Sequence, residues 1–162
     1  MKSSMNLAPT LLTALAVVLL NGPSTAAAPA LSLTSLDTPA TTTTLARLEG
    51  APRVVVFWRT DCAPCLIELP MLEQLKPGPG SIVLVGLDDG DAERRVLAQR
   101  APDLHGAWAA TGDAAAILTA FGGPPPRLPL AVAIDRSGRI CARHHGLLGS
   151  ERIESWIRQC SA

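Results

Sequence analysis

Three segments of the chain are almost continuously apolar, which is the pattern of strands covered on both faces in a sheet packed between helices. They are 53–58, which contains Val-Val-Val-Phe-Trp, 81–87 and 130–135. A short Arg-Ser-Gly turn separates the third segment from another strand-like segment, 139–145. The pattern therefore predicts two buried strands and, late in the chain, a β-hairpin.

Weaker patterns precede and interrupt these strands. Leucines alternate with polar residues over 31–36, and a β-branched run follows over 41–44. These two segments predict an extra short strand or hairpin at the N-terminal side of the sheet. We also expect one helical turn over 45–48, closed by Gly50, and a short extended piece over 104–108.

Helical spacing and capping residues predict four helices. Leucines recur every third residue in the first helix, where Pro70 predicts a kink and the Pro-Gly-Pro-Gly segment 77–80 a firm end. Asp113 and Ser150 are the expected N-caps of the third and fourth helices. The expected helices are 62–76, 92–100, 113–121 and 150–160. Strands and helices in this order predict an α/β layer fold.

The N-terminus has the three parts of a secretory signal. Lys2 supplies a positive start, an apolar run covers 7–20, and small residues follow at 24–28. The run is about 14 residues long and contains Pro9, so it is shorter than the roughly 20 residues that cross a bilayer. A cleaved signal peptide is the first interpretation, and an uncleaved membrane anchor is the second. Both place the body of the protein outside the cytoplasm, in the periplasm or an equivalent compartment.

Cleavage after Ala26 or Ala27 fits best, so we expect a signal peptide over 1–27 and one domain over 28–162. The 162 residues carry 14 basic and 14 acidic side chains, and 48% are hydrophobic. This composition supports one buried core but neither a nucleic-acid groove nor a polybasic membrane face. We expect a monomer.

Cys62 and Cys65 are separated by two residues where the first apolar strand gives way to a helix. A disulfide oxidoreductase needs one exposed, easily ionised thiol and a second thiol that resolves the mixed disulfide. The free amides and the dipole of a helix N-terminus stabilise a thiolate at the first position. The pattern predicts Cys62 as the nucleophile and Cys65 as the resolving thiol, with Pro64 tolerated early in the helix.

Two other interpretations of this pair are a fixed structural disulfide and half of a zinc site. Zinc needs two further ligands. The adjacent His144 and His145 would point to opposite faces of a strand, which makes them poor joint ligands. The strand before the pair and the helix after it favour redox chemistry, and we expect neither a metal nor a cofactor.

The segment around the pair resembles the thioredoxin superfamily, in particular its TlpA-like branch of exported thiol–disulfide oxidoreductases. The resemblance rests on the Phe-Trp pair at 57–58 and on the pattern C-x-x-C-x-x-E-x-P. That pattern is formed by Cys62, Cys65, Glu68 and Pro70. Further matching positions lie at 83–88, 121–122, 128–129, 135, 137–140 and 146. The resemblance implies a thioredoxin-like fold, a central mixed sheet flanked by helices.

The resemblance also implies roles for individual residues. Pro129 would be the family's cis-proline, which faces the dithiol and, with Leu128, offers backbone hydrogen bonds to a partner chain. Glu68 would be a half-buried acid that moves protons for Cys65. Trp58 would pack beside the dithiol and contribute to substrate binding. Each role has an alternative. Pro129 could be an ordinary trans proline, Glu68 a solvated helix residue and Trp58 a plain core residue.

Three features depart from the family's pattern. Val56 stands where thioredoxins proper keep a buried acid, which leaves Glu68 as the only nearby candidate for a proton acceptor. Asp61 replaces the usual tryptophan before Cys62, where its charge would either raise the pKa of that thiol or cap the helix. The proline-rich segment 122–127 is longer than usual and would form either a partner-binding loop or a stiff surface loop.

Cys141 and Cys160 lie outside the family's motif, in the last strand and at the end of the last helix. A helix that returns over the sheet would bring their Cα atoms within the separation of about 7 Å that a disulfide requires. The bridge would close a loop of about 20 residues and add roughly 3 kcal/mol of stability. Two buried free thiols are the alternative.

These features predict an exported oxidoreductase that reduces disulfides in protein substrates, the direction being implied by the resemblance. A membrane electron donor of the DsbD kind is then implied as well. The rival hypotheses are a non-catalytic thioredoxin-like module, in which the bridge between Cys62 and Cys65 is structural, and a copper-handling protein that uses the cysteines with a histidine.

Overall fold

The computed structural model describes residues 26–48, 52–75 and 82–161. The predicted signal sequence before Ala26, the closing Gly50 and the helix-ending segment 76–81 lie outside these ranges. Within them, seven strands and four α-helices form one layered unit. No helix in this part of the chain is long and apolar enough to cross a membrane.

Seven strands of the described ranges form a single mixed sheet. They are β1 (Ser32–Ser35), β2 (Thr42–Thr44), β3 (Arg53–Trp58), β4 (Ile82–Gly86), β5 (Trp108–Ala110), β6 (Leu130–Ile134) and β7 (Ile140–His145). Their order in the sheet is β2-β1-β5-β4-β3-β6-β7. The β3–β4 and β4–β5 pairs are parallel, and the other pairs are antiparallel.

Four α-helices lie in the described ranges, and aspartate side chains cap two of them. They are α1 (Ala63–Gln74), α2 (Gly90–Arg100), α3 (Ala114–Gly122) and α4 (Ser150–Gln159), with a 3-10 turn at Leu45–Arg47. Asp89 caps α2 by accepting the N–H of Asp91 at 3.0 Å. Asp113 caps α3 by accepting the N–H of Ala116 at 2.8 Å. Pro70 lies inside α1, which ends at Gln74 rather than at residue 76.

The core has two halves because successive side chains of a strand point to opposite faces of the sheet. Val54, Val56 and Trp58 pack into the half that α1, α2 and α4 cover. Val55 and Phe57 pack into the half that α3 covers. Burial on both faces is the reason why β3 shows no alternation of polar and apolar residues.

The predicted fold is confirmed: a central mixed sheet is flanked by helices, and the β1–β2 hairpin is the extra N-terminal element. The extended piece expected over 104–108 is wrong, because the backbone pairs with β1 and β4 only from Trp108 onward. Ser150 is not the cap of α4 either. Gly149 is the N-cap residue and has a φ of 71°, a conformation that favours glycine.

Residues 26–28, which span the expected cleavage site of the signal peptide, are hydrogen-bonded to the sheet. The carbonyl oxygen of Ala26 accepts the N–H of Ile140 at 2.8 Å, and the N–H of Ala28 donates to the carbonyl oxygen of Gly138 at 2.9 Å. This segment is therefore held against the start of β7.

Candidate active site

Cys62 and Cys65 form a disulfide at the N-terminus of α1. Cys62 is the N-cap residue, and its Sγ accepts the N–H of Cys65 at 3.3 Å. Cys65 is buried, with 2% of its surface exposed, whereas Cys62 is partly exposed. The more accessible sulfur therefore lies at the positive end of the helix dipole, which stabilises a thiolate there after reduction.

Charged residues surround the segment that precedes Cys62. The Nε atom of Arg59 lies 2.9 Å from Asp88 Oδ1 and 3.1 Å from Asp61 Oδ1. Asp88 Oδ2 also accepts the N–H of Thr60 at 2.6 Å and its hydroxyl at 2.9 Å. Asp88 thus fixes the loop between β3 and α1 onto the loop that follows β4.

Asp61 does not cap α1, contrary to one of the two alternatives, because Cys62 occupies the N-cap position itself. The carboxylate of Asp61 instead pairs with Arg59, whose Nη2 donates to Asp61 Oδ2 at 3.3 Å. This cation offsets part of the negative charge that stands beside Cys62.

A groove of about 460 Å³ opens beside Cys62. Apolar side chains from three parts of the chain form most of its lining: Ala63, Pro64, Ala114, Leu118, Pro126 and Leu128. Arg59 and Asp61 supply its charged groups. Because Pro126 belongs to the segment 122–127, this lining favours the interpretation of that segment as part of a partner-binding loop.

The Leu128–Pro129 peptide bond is cis. Pro129 is buried, and its carbonyl oxygen accepts the N–H of Gly146 at 2.9 Å. Leu128 is partly exposed and shares the groove with Cys62. Leu128 and Pro129 therefore lie immediately before β6, and Leu128 faces the groove beside Cys62.

Side chains of β7 hold the end of α3 beside this segment. Arg143 Nε donates to the carbonyl oxygen of Phe121 at 2.6 Å, and His145 Nε2 lies 3.2 Å from the carbonyl oxygen of Gly122. His144 instead contacts Leu147 through Nε2. Among the described residues, no group of three or more His, Cys, Asp or Glu side chains could hold a metal ion.

Glu68 is buried on α1, one turn after Cys65, with 5% of its surface exposed. Its Oε1 accepts the N–H groups of Leu148 and Gly149, the latter at 3.3 Å. Glu68 is therefore not a solvated helix residue. Its carboxylate therefore fixes the backbone that leads into α4.

Trp58 is also buried, with 1% of its surface exposed. It belongs to the same core cluster as Cys65, with Cys62 packed against that cluster. A side chain with so little exposed surface offers nothing for a partner to touch in this structure. Of the alternatives, the arrangement matches a core tryptophan beside the dithiol and not a direct substrate contact.

A second buried acid, Glu93, was missed in the sequence. It lies in the first turn of α2, is 0% exposed, and accepts the N–H of Asp88 at 2.8 Å through Oε1. Burial raises its pKa from an ordinary 4.5 to about 7; the hydrogen bond from Asp88 opposes this rise, and the charges of Asp88 and Asp89 add to it. Glu93 is thus a second buried acid, on the face of the sheet that also carries Trp58.

The signal for Glu93 in the sequence is the glycine that ends the apolar run of β4. A methyl group at Gly86 would overlap the carboxyl group of Glu93, so only glycine leaves this space open. A glycine at the end of a buried strand indicates the close approach of another group.

Gly86→Ala is expected to lower the free energy of unfolding by about 2 kcal/mol, because the added methyl group overpacks a closed site. Urea unfolding followed by circular dichroism measures the change. Gly90→Ala is the matched control, since a methyl group there meets only ordinary contacts of 3.4 Å or more. Equal stability of the two variants would contradict the packing described for Glu93.

The two cysteines outside the motif are bridged: Cys141 in β7 and Cys160 after α4 form a disulfide, with Cα atoms 6.1 Å apart. Cys160 is 4% exposed. The bridge ties the end of the last helix to an edge strand of the sheet.

A mixed sheet with a dithiol pair at the start of the helix that follows the inner strand β3 defines the thioredoxin-fold class of thiol–disulfide proteins. A family model, Redoxin, matches residues 23–152. The chain therefore belongs to the Redoxin family, and solved structures that share its fold are thiol:disulfide interchange proteins. No curated protein matches the chain significantly in sequence.

Solved structures share this fold at low sequence identity. A putative thiol:disulfide interchange protein DsbE from Chlorobium tepidum is 23% identical, with a TM-score of 0.66 over 84% of this chain and 96% of its own. The thioredoxin domain of a thiol-disulfide oxidoreductase from Bacteroides vulgatus is 19% identical, with a TM-score of 0.67 over 86% and 100% of the two chains. A thiol:disulfide interchange protein from Bacteroides sp. is 18% identical, with a TM-score of 0.66 over 83% and 88%.

Proposed function

We propose that the protein is an exported thiol–disulfide oxidoreductase that reduces disulfides in protein substrates through Cys62 and Cys65. The observation that carries this proposal is the asymmetry of the disulfide. One sulfur is partly exposed at a helix N-terminus beside a groove, and the other is buried one turn further on. This is the arrangement that a two-step exchange requires.

In the reduced protein, the Cys62 thiolate attacks one sulfur of a substrate disulfide. A mixed disulfide forms, and the other substrate sulfur leaves as a thiolate that takes up a proton. Cys65 then loses its proton and attacks Cys62 Sγ, which closes the Cys62–Cys65 bond and releases the second substrate thiol. The substrate gains two electrons and two protons, and the dithiol loses them.

Glu68 is the proposed proton acceptor for Cys65, since its carboxyl group is buried on the same helix one turn away. Leu128 and Pro129 are proposed to receive the substrate backbone, because Leu128 lines the groove that Cys62 opens into. The mostly apolar lining suits an extended, weakly charged peptide segment around the substrate cysteine.

The proposed place of action is outside the cytoplasm. A signal peptide over 1–27 would deliver the domain 28–162 to the periplasm or an equivalent compartment, or else anchor it at the membrane. The bridged Cys141 and Cys160 suit an oxidising compartment. A protein that works as a reductase there needs electrons, which a membrane donor of the DsbD kind would supply. We expect the protein to act as a monomer.

The reduction potential of the Cys62–Cys65 pair tests this function. We expect a value near −270 mV, as for thioredoxin, measured by equilibration with dithiothreitol buffers. The Cys141→Ser/Cys160→Ser protein serves for the titration, so that only one disulfide responds. A value near −120 mV would contradict the reductase direction. A value near −270 mV without any reduction of insulin would instead support a non-catalytic module.

A further inference from the structure

A short chain of hydrogen bonds joins a buried acid to the segment before the nucleophile. Glu93 accepts the N–H of Asp88 at 2.8 Å, and the Asp88 carboxylate accepts the N–H of Thr60 at 2.6 Å. The carbonyl oxygen of Arg59, whose side chain pairs with Asp88, accepts the N–H of Cys62 at 3.2 Å. One residue, Asp88, therefore connects Glu93 to the loop that positions Cys62.

A second observation points to the same acid. Glu93 Oε2 and Trp58 Nε1 are buried and have no hydrogen-bond partner among the residues that the structure describes. Trp58 and Gly86 are register partners on β3 and β4, and the Glu93 carboxyl group fills the space at Gly86. Both unpaired atoms thus lie on one face of the sheet, and Trp58 belongs to the core cluster that contains Cys65. An oxygen that accepts no hydrogen bond holds a proton more readily.

We infer that Glu93 is a positioning residue for the dithiol, and that its ionisation is transmitted through Asp88 and the segment 59–61 to Cys62. The inference rests on the proposed function. A neutral Glu93 leaves the Asp88 carboxylate as the main charge that orients Arg59 and Thr60. An ionised Glu93 adds a second negative charge beside Asp88, which disfavours a thiolate at Cys62.

The charged groups around Glu93 set the pH range of this effect. Asp88 and Asp89 face it from the loop before α2, Arg59 lies beyond Asp88, and the sheet presents Gly86 and Trp58. Because the pKa is raised to about 7, Glu93 is neutral below that pH and ionised above it. The Cys62 thiolate should therefore lose stability as the pH rises through 7.

The alkylation rate of Cys62 by iodoacetamide, measured in the reduced protein from pH 5.5 to 8.5, tests the inference. Glu93→Gln should match the wild type below pH 6, and above pH 7 its alkylation profile should be displaced by about half a unit toward lower pH, which corresponds to a rate up to about threefold faster. Glu154→Gln, an exposed acid on α4 that pairs with Arg158, should behave as the wild type throughout. Parallel profiles for the wild type and Glu93→Gln would overturn the inference.

A second measurement uses the wild type alone, so it does not depend on the folding of a variant. If Glu93 acts on Cys62, the redox state of Cys62 must act equally on Glu93. Carbon-13 NMR of labelled glutamate carboxyl groups should show Glu93 titrating at a higher pH in the reduced protein than in the oxidised protein. An identical titration in the two states would refute the coupling.

The two proposals can fail separately. Coupled titration of Glu93 in a protein that reduces no substrate disulfide would leave this inference standing and reject the proposed function. Normal reductase activity in a protein whose Glu93 titration does not change with the redox state would support the proposed function and reject this inference.

Discussion

Replacing Cys65 with serine is expected to trap the protein in a mixed disulfide with its substrate. Replacing Cys62 with serine is expected to reduce turnover to background. Cys62 is the accessible sulfur beside the groove, so it forms the first bond. Cys65 is buried and can only attack a neighbour within the protein. Without Cys65, the first bond forms but nothing resolves it.

Insulin reduction measures turnover, and non-reducing mass spectrometry detects the trapped adduct. Cys141→Ser/Cys160→Ser is the matched control, since it removes two cysteines outside the site and should retain the wild-type rate. Trapping by Cys62→Ser and not by Cys65→Ser would reverse the assignment of nucleophile and resolving thiol.

Loss of the second disulfide is expected to lower the free energy of unfolding by about 3 kcal/mol. Cys141 and Cys160 are 19 residues apart in sequence, and their bridge limits the freedom of the unfolded chain across β7 and α4. The melting temperature should fall by roughly 10 °C. Scanning calorimetry of oxidised wild type and Cys141→Ser/Cys160→Ser gives the difference.

A control for this prediction is Ser155→Ala, which changes the same helix and leaves the bridge intact. It should stay close to the wild type, as surface substitutions usually do. A double serine variant that melts at the wild-type temperature would show that packing of α4, through Ile153 and Trp156, holds the helix without the bridge.

The strands and helix starts were predictable because their signals are local. The apolar runs of β3, β4 and β6 need no partner to be recognised, and Asp89 and Asp113 cap helices that begin within a residue of them. The dithiol was predictable for the same reason, since the spacing of Cys62 and Cys65 fits one helical turn.

Contacts across long stretches of chain were not predictable. Glu68 meets the backbone of Leu148, 80 residues further on, and no local pattern encodes that meeting. Glu93 has the appearance of an ordinary acid in the first turn of a polar helix. Only the parallel pairing of β3 with β4, which sets Gly86 beside Trp58, gives that acid a buried place on the sheet.

The presence of two disulfides in one chain has a consequence for selectivity among cysteines. In the proposed cycle, the Cys62–Cys65 bond opens and closes with each turnover, while the Cys141–Cys160 bond persists. The two bonds differ in surroundings: Cys62 lies beside an open groove, whereas Cys160 is buried beneath the end of α4. Burial closes only the Cys160 end of that bond to an attacking thiolate, because Cys141 is partly exposed, as Cys62 is. The open groove beside Cys62 is therefore the feature that directs exchange to the Cys62–Cys65 bond.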